Sequence, residues 1–114
     1  MFMSPKAYSR DEQERILKTK SYLLNHLHCP LRLSDLTRHA AMGEQRFKDG
    51  FRLLLGYTPG DYLHQARMRT ARALLRHTDR PIKEIAALCG YQHYKNFLTA
   101  YRRFFGETAG ASRP

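Results

Sequence analysis

The feature that most constrains this chain is a pattern that occurs twice. Residues 82–106 read IKEIAALCGYQHYKNFLTAYRRFFG, and residues 33–56 read LSDLTRHAAMGEQRFKDGFRLLLG. In the later copy Ile82, Ile85, Ala86 and Cys89 share one face of a short helix. Glu84 sits in its first turn, where the helix dipole favours a carboxylate, and Gly90 follows where the backbone can turn left-handed. A second amphipathic stretch puts Phe97, Ala100, Tyr101 and Phe104 on one stripe and Lys95, Leu98, Thr99 and Arg102 opposite. Two short helices joined by a glycine turn, the second basic on its outer face, read as a helix-turn-helix. In the earlier copy Leu33, Asp35, Leu36 and Ala40 match Ile82, Glu84, Ile85 and Cys89 at a shift of 49 (33 to 82). Phe47, Phe51-Arg52 and Gly56 match Phe97, Tyr101-Arg102 and Gly106 at a shift of 50 (47 to 97). One extra residue in the later turn accounts for the change. The matched positions set burial and turn geometry, so the repeat predicts two units of one fold.

Charge narrows the partner. Twenty Lys and Arg against ten Asp and Glu give a net charge of +10, and every quarter of the chain is net positive. Such a field attracts polyanions: duplex DNA, RNA or an anionic membrane surface. An RNA binder would more often expose aromatics for stacking, and most aromatics here lie on the core stripes. No apolar run approaches the roughly 20 residues of a membrane span, and residues 1–5 hold no signal-peptide core, so the expected address is cytoplasmic, on the nucleoid. At 114 residues the chain can bury one modest core, or two small ones sharing a connecting element.

In chain order, residues 1–8 are an expected frayed start. Ser9 caps a helix over residues 10–28 that carries Asp11 and Glu12 in its first turn and Ile16, Tyr22, Leu23, Leu24 and Leu27 along it. Cys29-Pro30 ends that helix. Helices over 33–41 and 44–55 form the first pair. Thr58-Pro59-Gly60-Asp61 starts a joining helix that runs to residue 77, and Thr78-Asp79-Arg80-Pro81 breaks it. Helices over 82–89 and 92–105 form the second pair, and residues 107–114 are an expected frayed end. The class is therefore all-α: a helix-turn-helix subdomain at 9–56, a linker helix at 57–78 and a second helix-turn-helix subdomain at 79–114. On the joining helix Leu63, Ala71, Leu74 and Leu75 lie on one side with Met68 at its edge, and Arg69, Arg72 and Arg76 form a ridge opposite. Arg67 falls amid the apolar side, where an unpaired charge would be costly, so a buried ion pair is predicted, with Glu84 as its partner.

These residues resemble the DNA-binding domain of the AraC/XylS transcription regulators. The likeness rests on Leu33-Ser34-Asp35-Leu36, Phe51-Arg52, Gly56, Thr58-Pro59, Tyr62-Leu63, Arg67, Ala71, Leu74-Leu75, Ile82, Glu84-Ile85-Ala86, Gly90-Tyr91, Asn96-Phe97, Phe104 and Gly106. It covers about residues 11–106, and residues 46–52 are similar to the branch that includes siderophore-responsive regulators. The resemblance implies about seven helices, two helix-turn-helix units held by a linker helix, and RNA polymerase as a second partner. Arg32, Gln92, Ala109 and Ser112 depart from the family's usual residues, which concerns helix boundaries and the C-terminal helix. Many members carry a separate sensor or dimerisation domain, and nothing here is large enough to be one. The chain is then either a free-standing small regulator or a DNA-binding half.

The face of each second helix opposite the phenylalanines is the one to meet a major groove, the only groove that admits a helix and displays four distinguishable base pairs. Expected base contacts are Gln45, Lys48 and Asp49 in the first unit and Tyr94, Lys95, Leu98 and Thr99 in the second. Gln45 suits adenine, Lys48 guanine and Asp49 a cytosine amine, while Leu98 can pack on a thymine methyl. Arg46, Arg52, Lys83, Arg102 and Arg103 are expected phosphate contacts. On the paired wheels Gln45 matches Lys95, Lys48 matches Leu98 and Asp49 matches Thr99, so the units offer different chemistry. A helical adaptor that binds an acidic protein or an RNA polymerase subunit without reading DNA is the competing reading. No nucleophile motif, paired carboxylates or glycine-rich phosphate loop points to an enzyme. No cofactor is expected. His26, His28 and Cys29 lack a shared helix face and a completing cluster, so no metal site is expected either. Cys29 and Cys89 are not expected to pair, because Cys89 lies on a buried helix face.

Overall fold

A computed structural model describes residues 7–114, and in it the helices after Ser9 and Thr58 begin at the capping signals the sequence offers. Helix α1 (Arg10–Asn25) starts at a capping box: Glu12 N–H donates to Ser9 Oγ and Ser9 N–H to Glu12 Oε1, both at 3.0 Å. Helix α2 (Leu33–Ala40) lacks a hydroxyl cap, and Asp35 takes over half of that task by accepting from Arg32 N–H at 2.8 Å. Helices α3 (Glu44–Leu55) and α6 (Tyr94–Phe105) end on Gly56 and Gly106, both left-handed, whose N–H groups donate to Arg52 and Arg102 carbonyls. In α4 (Pro59–His77) Thr58 Oγ1 accepts from Asp61 N–H at 3.2 Å. Helix α5 (Ile82–Leu88) follows Pro81. The class is all-α: six helices and no strand among the described residues, against the seven implied by resemblance. After α6 the chain makes turns rather than a seventh helix.

The chain divides into two compact units. One comprises the chain up to His26 together with Leu31–His64; the other comprises Leu27–Pro30 and Gln65–Pro114. Helix α4 therefore begins in the first and continues into the second. In the first unit Ile16, Thr19 and Leu23 from α1, Leu36 and Ala40 from α2, and Phe47 and Phe51 from α3 are buried. Phe51 meets Tyr62 edge-on at 5.5 Å between ring centroids, which ties the start of α4 to α3. In the second unit Met68, Ala71 and Leu75 from α4 pack with Ile85, Ala86, Cys89, Phe97, Tyr101 and Ala109. Met68, expected at the edge of the apolar side, is fully buried at its centre, while Leu63 and Leu74 are half-buried.

Both turns use one device. Tyr91 N–H donates to the Ala86 carbonyl and Gly90 is left-handed at φ +86°; Met42 N–H donates to the Thr37 carbonyl and Ala41 is left-handed at φ +53°. Ala41, read as the last residue of α2, is thus its left-handed cap.

Other expectations are corrected. Helix α1 stops at Asn25 rather than His28: His26 N–H turns to the Leu23 carbonyl, and the His26 ring takes up the Tyr22 carbonyl that a continuing helix would use. Arg67 makes no ion pair with Glu84, whose carboxylate pairs with Arg80. Its guanidinium donates to Leu27 O at 3.3 Å and Cys29 O at 2.8 Å, and burial lowers its pKa. Helix α6 starts at Tyr94, not Gln92, with His93 as its cap. Of the frayed start only Ala7 and Tyr8 are described. Tyr8 is buried and its hydroxyl donates to the Arg46 carbonyl at 3.1 Å. The C-terminal tail is docked rather than frayed. Tyr101 OH donates to Ser112 Oγ, which donates to Glu107, each at 2.6 Å. Ala109 is fully buried, and Arg113 donates to the carbonyls of Leu75 and Thr78 at the end of α4.

Candidate nucleic-acid interface

Phe47 and Phe51 fix the roll of α3, since both are fully buried and their rings lie 5.6 Å apart. The opposite face then carries Gln45, Lys48, Asp49 and Arg52, with Glu44 exposed in the first turn. Its charges are locally matched. Lys48 Nζ lies 3.8 Å from Glu44 Oε1, and Gln45 Nε2 donates to Asp49 Oδ1 at 3.0 Å, each pair one helical turn apart. Arg52 is exposed in the last turn.

Arg46 does something else. It donates to both Glu12 carboxylate oxygens at 2.6 and 2.8 Å and to the Ala7 carbonyl at 2.9 Å, and its guanidinium lies 4.3 Å from the Tyr8 ring centroid. It therefore straps Ala7, Tyr8 and the first turn of α1 onto α3, a tertiary duty the reading as a phosphate contact did not include. The pairing holds the Glu12 carboxyl at about 2, with Arg46 the largest cause and the Ser9 N–H the next.

Phe97 and Tyr101 fix α6 in the same way, both fully buried with rings 5.8 Å apart. Lys95, Thr99, Arg102 and Arg103 are exposed, and α6 contains no carboxylate at all. Thr99 Oγ1 donates to the Lys95 carbonyl at 3.1 Å. Tyr94 and Leu98 are half-buried against the edge of the core. With Ile82, Arg102 and Ala109 they line an open groove beside the helix. Leu98 is thus part of a groove wall rather than a free knob on a polar face. Lys83 extends over the Tyr94 ring, 5.5 Å from its centroid. The structure brings Tyr94, Leu98 and Arg102 together around that groove and joins Gln45 to Asp49 on α3.

Not all of the positive charge faces outward. Arg15 donates to the Ala40 and Ala41 carbonyls at 2.9 and 2.7 Å, which closes the end of α2 as Arg113 closes the end of α4. Arg72 lays its guanidinium on Phe105, 4.7 Å from the ring centroid. The composition cannot separate these arginines from the exposed ones. His93 was missed from sequence: as the exposed cap of α6 it occupies the helix end from which groove-bound helices address base edges. Nothing in its type signals this; it follows from where the helix begins. Among the described residues no three His, Cys, Asp or Glu side chains gather as a metal site. His26 instead donates to the Tyr22 carbonyl and stacks on the Tyr22 ring, whose centroid is 4.1 Å away. No helix of the described residues is long and apolar enough to cross a membrane.

Against known proteins, a helix-turn-helix domain family matches residues 36–113. The transcriptional activator RhaR of Cronobacter sakazakii is 36% identical over 84 residues, which are 74% of this chain and 30% of RhaR. A transcriptional regulator from Chromobacterium violaceum with an AraC-type DNA-binding domain superimposes with a TM-score of 0.79 at 26% identity, covering 89% of this chain and 90% of that one. The DNA-binding domain of the global transcriptional factor AdpA, solved in complex with a target DNA, superimposes at 0.80 with 28% identity, covering 84% and 86%. The chain spans 26–38% of the length of the first three curated relatives it matches.

Proposed function

Because the chain belongs to the AraC/XylS family of helix-turn-helix regulators, we propose that it regulates transcription by binding double-stranded DNA through α3 and α6. Each of these helices enters a major groove, and the two grooves follow one another along the duplex. The observation that carries this reading is the repeated frame. Phe47/Phe51 and Phe97/Tyr101 bury matched faces, and the faces left outside are polar, with exposed Arg52 and Arg102 at matched positions. Gln45, Lys48, Lys95 and Thr99 are the base-reading side chains, with Asp49 beside Gln45. Tyr94 and Leu98 form an apolar wall for a thymine methyl. Arg52, Arg102, Arg103 and Lys83 hold phosphates, while Arg46 serves first as a strap. The AdpA complex supports the reading, since that relative's domain is bound to DNA. Regulation adds RNA polymerase as a second partner, and the cytoplasm is the working compartment.

Equilibrium binding to a duplex as a function of salt tests this. Affinity falls with a log–log slope of about −0.9 per phosphate engaged. Arg52→Ala or Arg102→Ala weakens all sequences alike and makes the slope shallower by about one. Affinity indifferent to salt would sink the proposal, and loss confined to one sequence would mean these arginines read bases.

A further inference from the structure

Resting on the DNA-reading role of α3, we propose that Asp49 is a positioning residue that locks the Gln45 amide in the orientation that reads adenine. A free glutamine amide is nearly symmetric in shape, and a half-turn of its terminal torsion exchanges donor for acceptor. Left free, it offers the groove two opposite patterns. Gln45 is not free: Nε2 donates to Asp49 Oδ1 at 3.0 Å. A carboxylate only accepts, so the amide nitrogen, never its oxygen, faces Asp49. One amide hydrogen is taken up there. With Asp49 on the hydrogen trans to Oε1, the cis hydrogen and Oε1 remain, side by side, as a donor and an acceptor. That is the complement of adenine N7 and N6–H₂ in the major groove, and it mismatches the two acceptors of guanine. Asp49 is half-buried while Gln45 is exposed, which suits the carboxylate to a supporting place and the amide to the contact. The matched pair on α6 lacks the device. Thr99 Oγ1 donates to the Lys95 backbone carbonyl, so it does not orient the Lys95 side chain.

The test is competition binding on a panel of duplexes that vary each base pair of the best selected site, using the whole chain. Gln45→Ala is expected to reduce discrimination at one A·T pair by about 5- to 150-fold, the 1–3 kcal/mol of one bidentate contact converted at 1.4 kcal/mol per decade. Asp49→Ala should relax the same base pair by most of that factor, and the double variant should lose no more than Gln45→Ala alone. Asp49→Asn removes the charge and adds a donor that can equally hold Gln45 Oε1, so it should relax preference at that pair much as Asp49→Ala does, while binding all duplexes more tightly. The salt slope of Gln45→Ala should match that of the wild type, which separates lost reading from lost phosphate contacts. If Asp49→Ala relaxes a different base pair, Asp49 reads its own base and the proposal is overturned. Unchanged discrimination at the Gln45 pair in Asp49→Ala overturns it too. A wild-type chain that binds every duplex alike removes the DNA-reading premise, and the proposal with it.

Discussion

At Gly90 two demands meet on one residue. The backbone is left-handed, and a Cβ there would run into the Leu27 carbonyl oxygen and stand 2.8 Å from Arg67 Nη2. Ala41 holds the matched turn with the same backbone sign but on an exposed surface. Gly90→Ala should therefore cost more than about 2 kcal/mol, the strain of a left-handed L-residue plus a displaced Arg67, whereas Ala41→Gly should gain about 0.5–1 kcal/mol. Urea unfolding of both variants checks the pair, and equal and opposite shifts would show that packing around Gly90 contributes nothing. Glu12 gives a pH signature. Its carboxyl is held at about 2 in the fold against an ordinary 4.5, mainly by Arg46. A depressed carboxyl contributes stability above its unfolded pKa, and that contribution drains away as pH falls from about 4.5 toward 2. Denaturant titrations across this window should show a falling wild-type midpoint and a flatter one for Glu12→Gln. Parallel curves would mean that the strap does not link to folding.

At the scale of elements, three arginines from separate segments finish what local signals leave open. Arg15 closes α2, Arg113 closes α4, and Arg67 holds the loop after α1. Each satisfies carbonyls that have no partner within their own helix or turn. The tail works with them. Tyr101 is fully buried and its hydroxyl is satisfied only because Ser112 folds back onto it. Tyr101→Phe should lose about 0.5–1.5 kcal/mol, the net value of one hydrogen bond. A chain ending at Gly106 should lose more, since Ala109 leaves the core and Arg113 leaves α4. Thermal or urea melts of the two decide this, and a shortened chain as stable as the full one would mean the tail is ornamental. Periodicity placed Tyr101 on a buried stripe. A buried tyrosine asks for a partner at its hydroxyl, and that was the one sequence signal that residues 107–114 would dock.

For the molecule as a whole, the proposed reading, with unlike side chains on α3 and α6, predicts an unlike site. On that reading Gln45 takes the task that Lys95 takes in the other unit, and Asp49 that of Thr99, so a monomer should select two different blocks about one helical turn, roughly 10 base pairs, apart. Selection from a random duplex pool reads this directly. One informative block would leave the second unit as a backbone clamp, and a palindrome would point to a dimer. The repeat of Phe47/Phe51 and Phe97/Tyr101, with Gly56 and Gly106 after them, made the all-α class, the helix pairs and their buried faces legible, because burial and left-handed turns are demands a residue type meets locally. The exposed faces of α3 and α6 followed from those same wheels. What lies opposite a buried or half-buried group is a different matter. Arg67 was given a carboxylate and found two backbone carbonyls; Arg46, read only from its own helix, also holds Glu12; the tail was left free and caps α4. Arg67 reaches across 38 and 40 residues, Arg113 across 35 and 38, and Arg46 across 34, and no periodicity within a helix specifies a partner at that distance. Sequence determined which surfaces had to be covered; only the packed chain decided which groups would cover them.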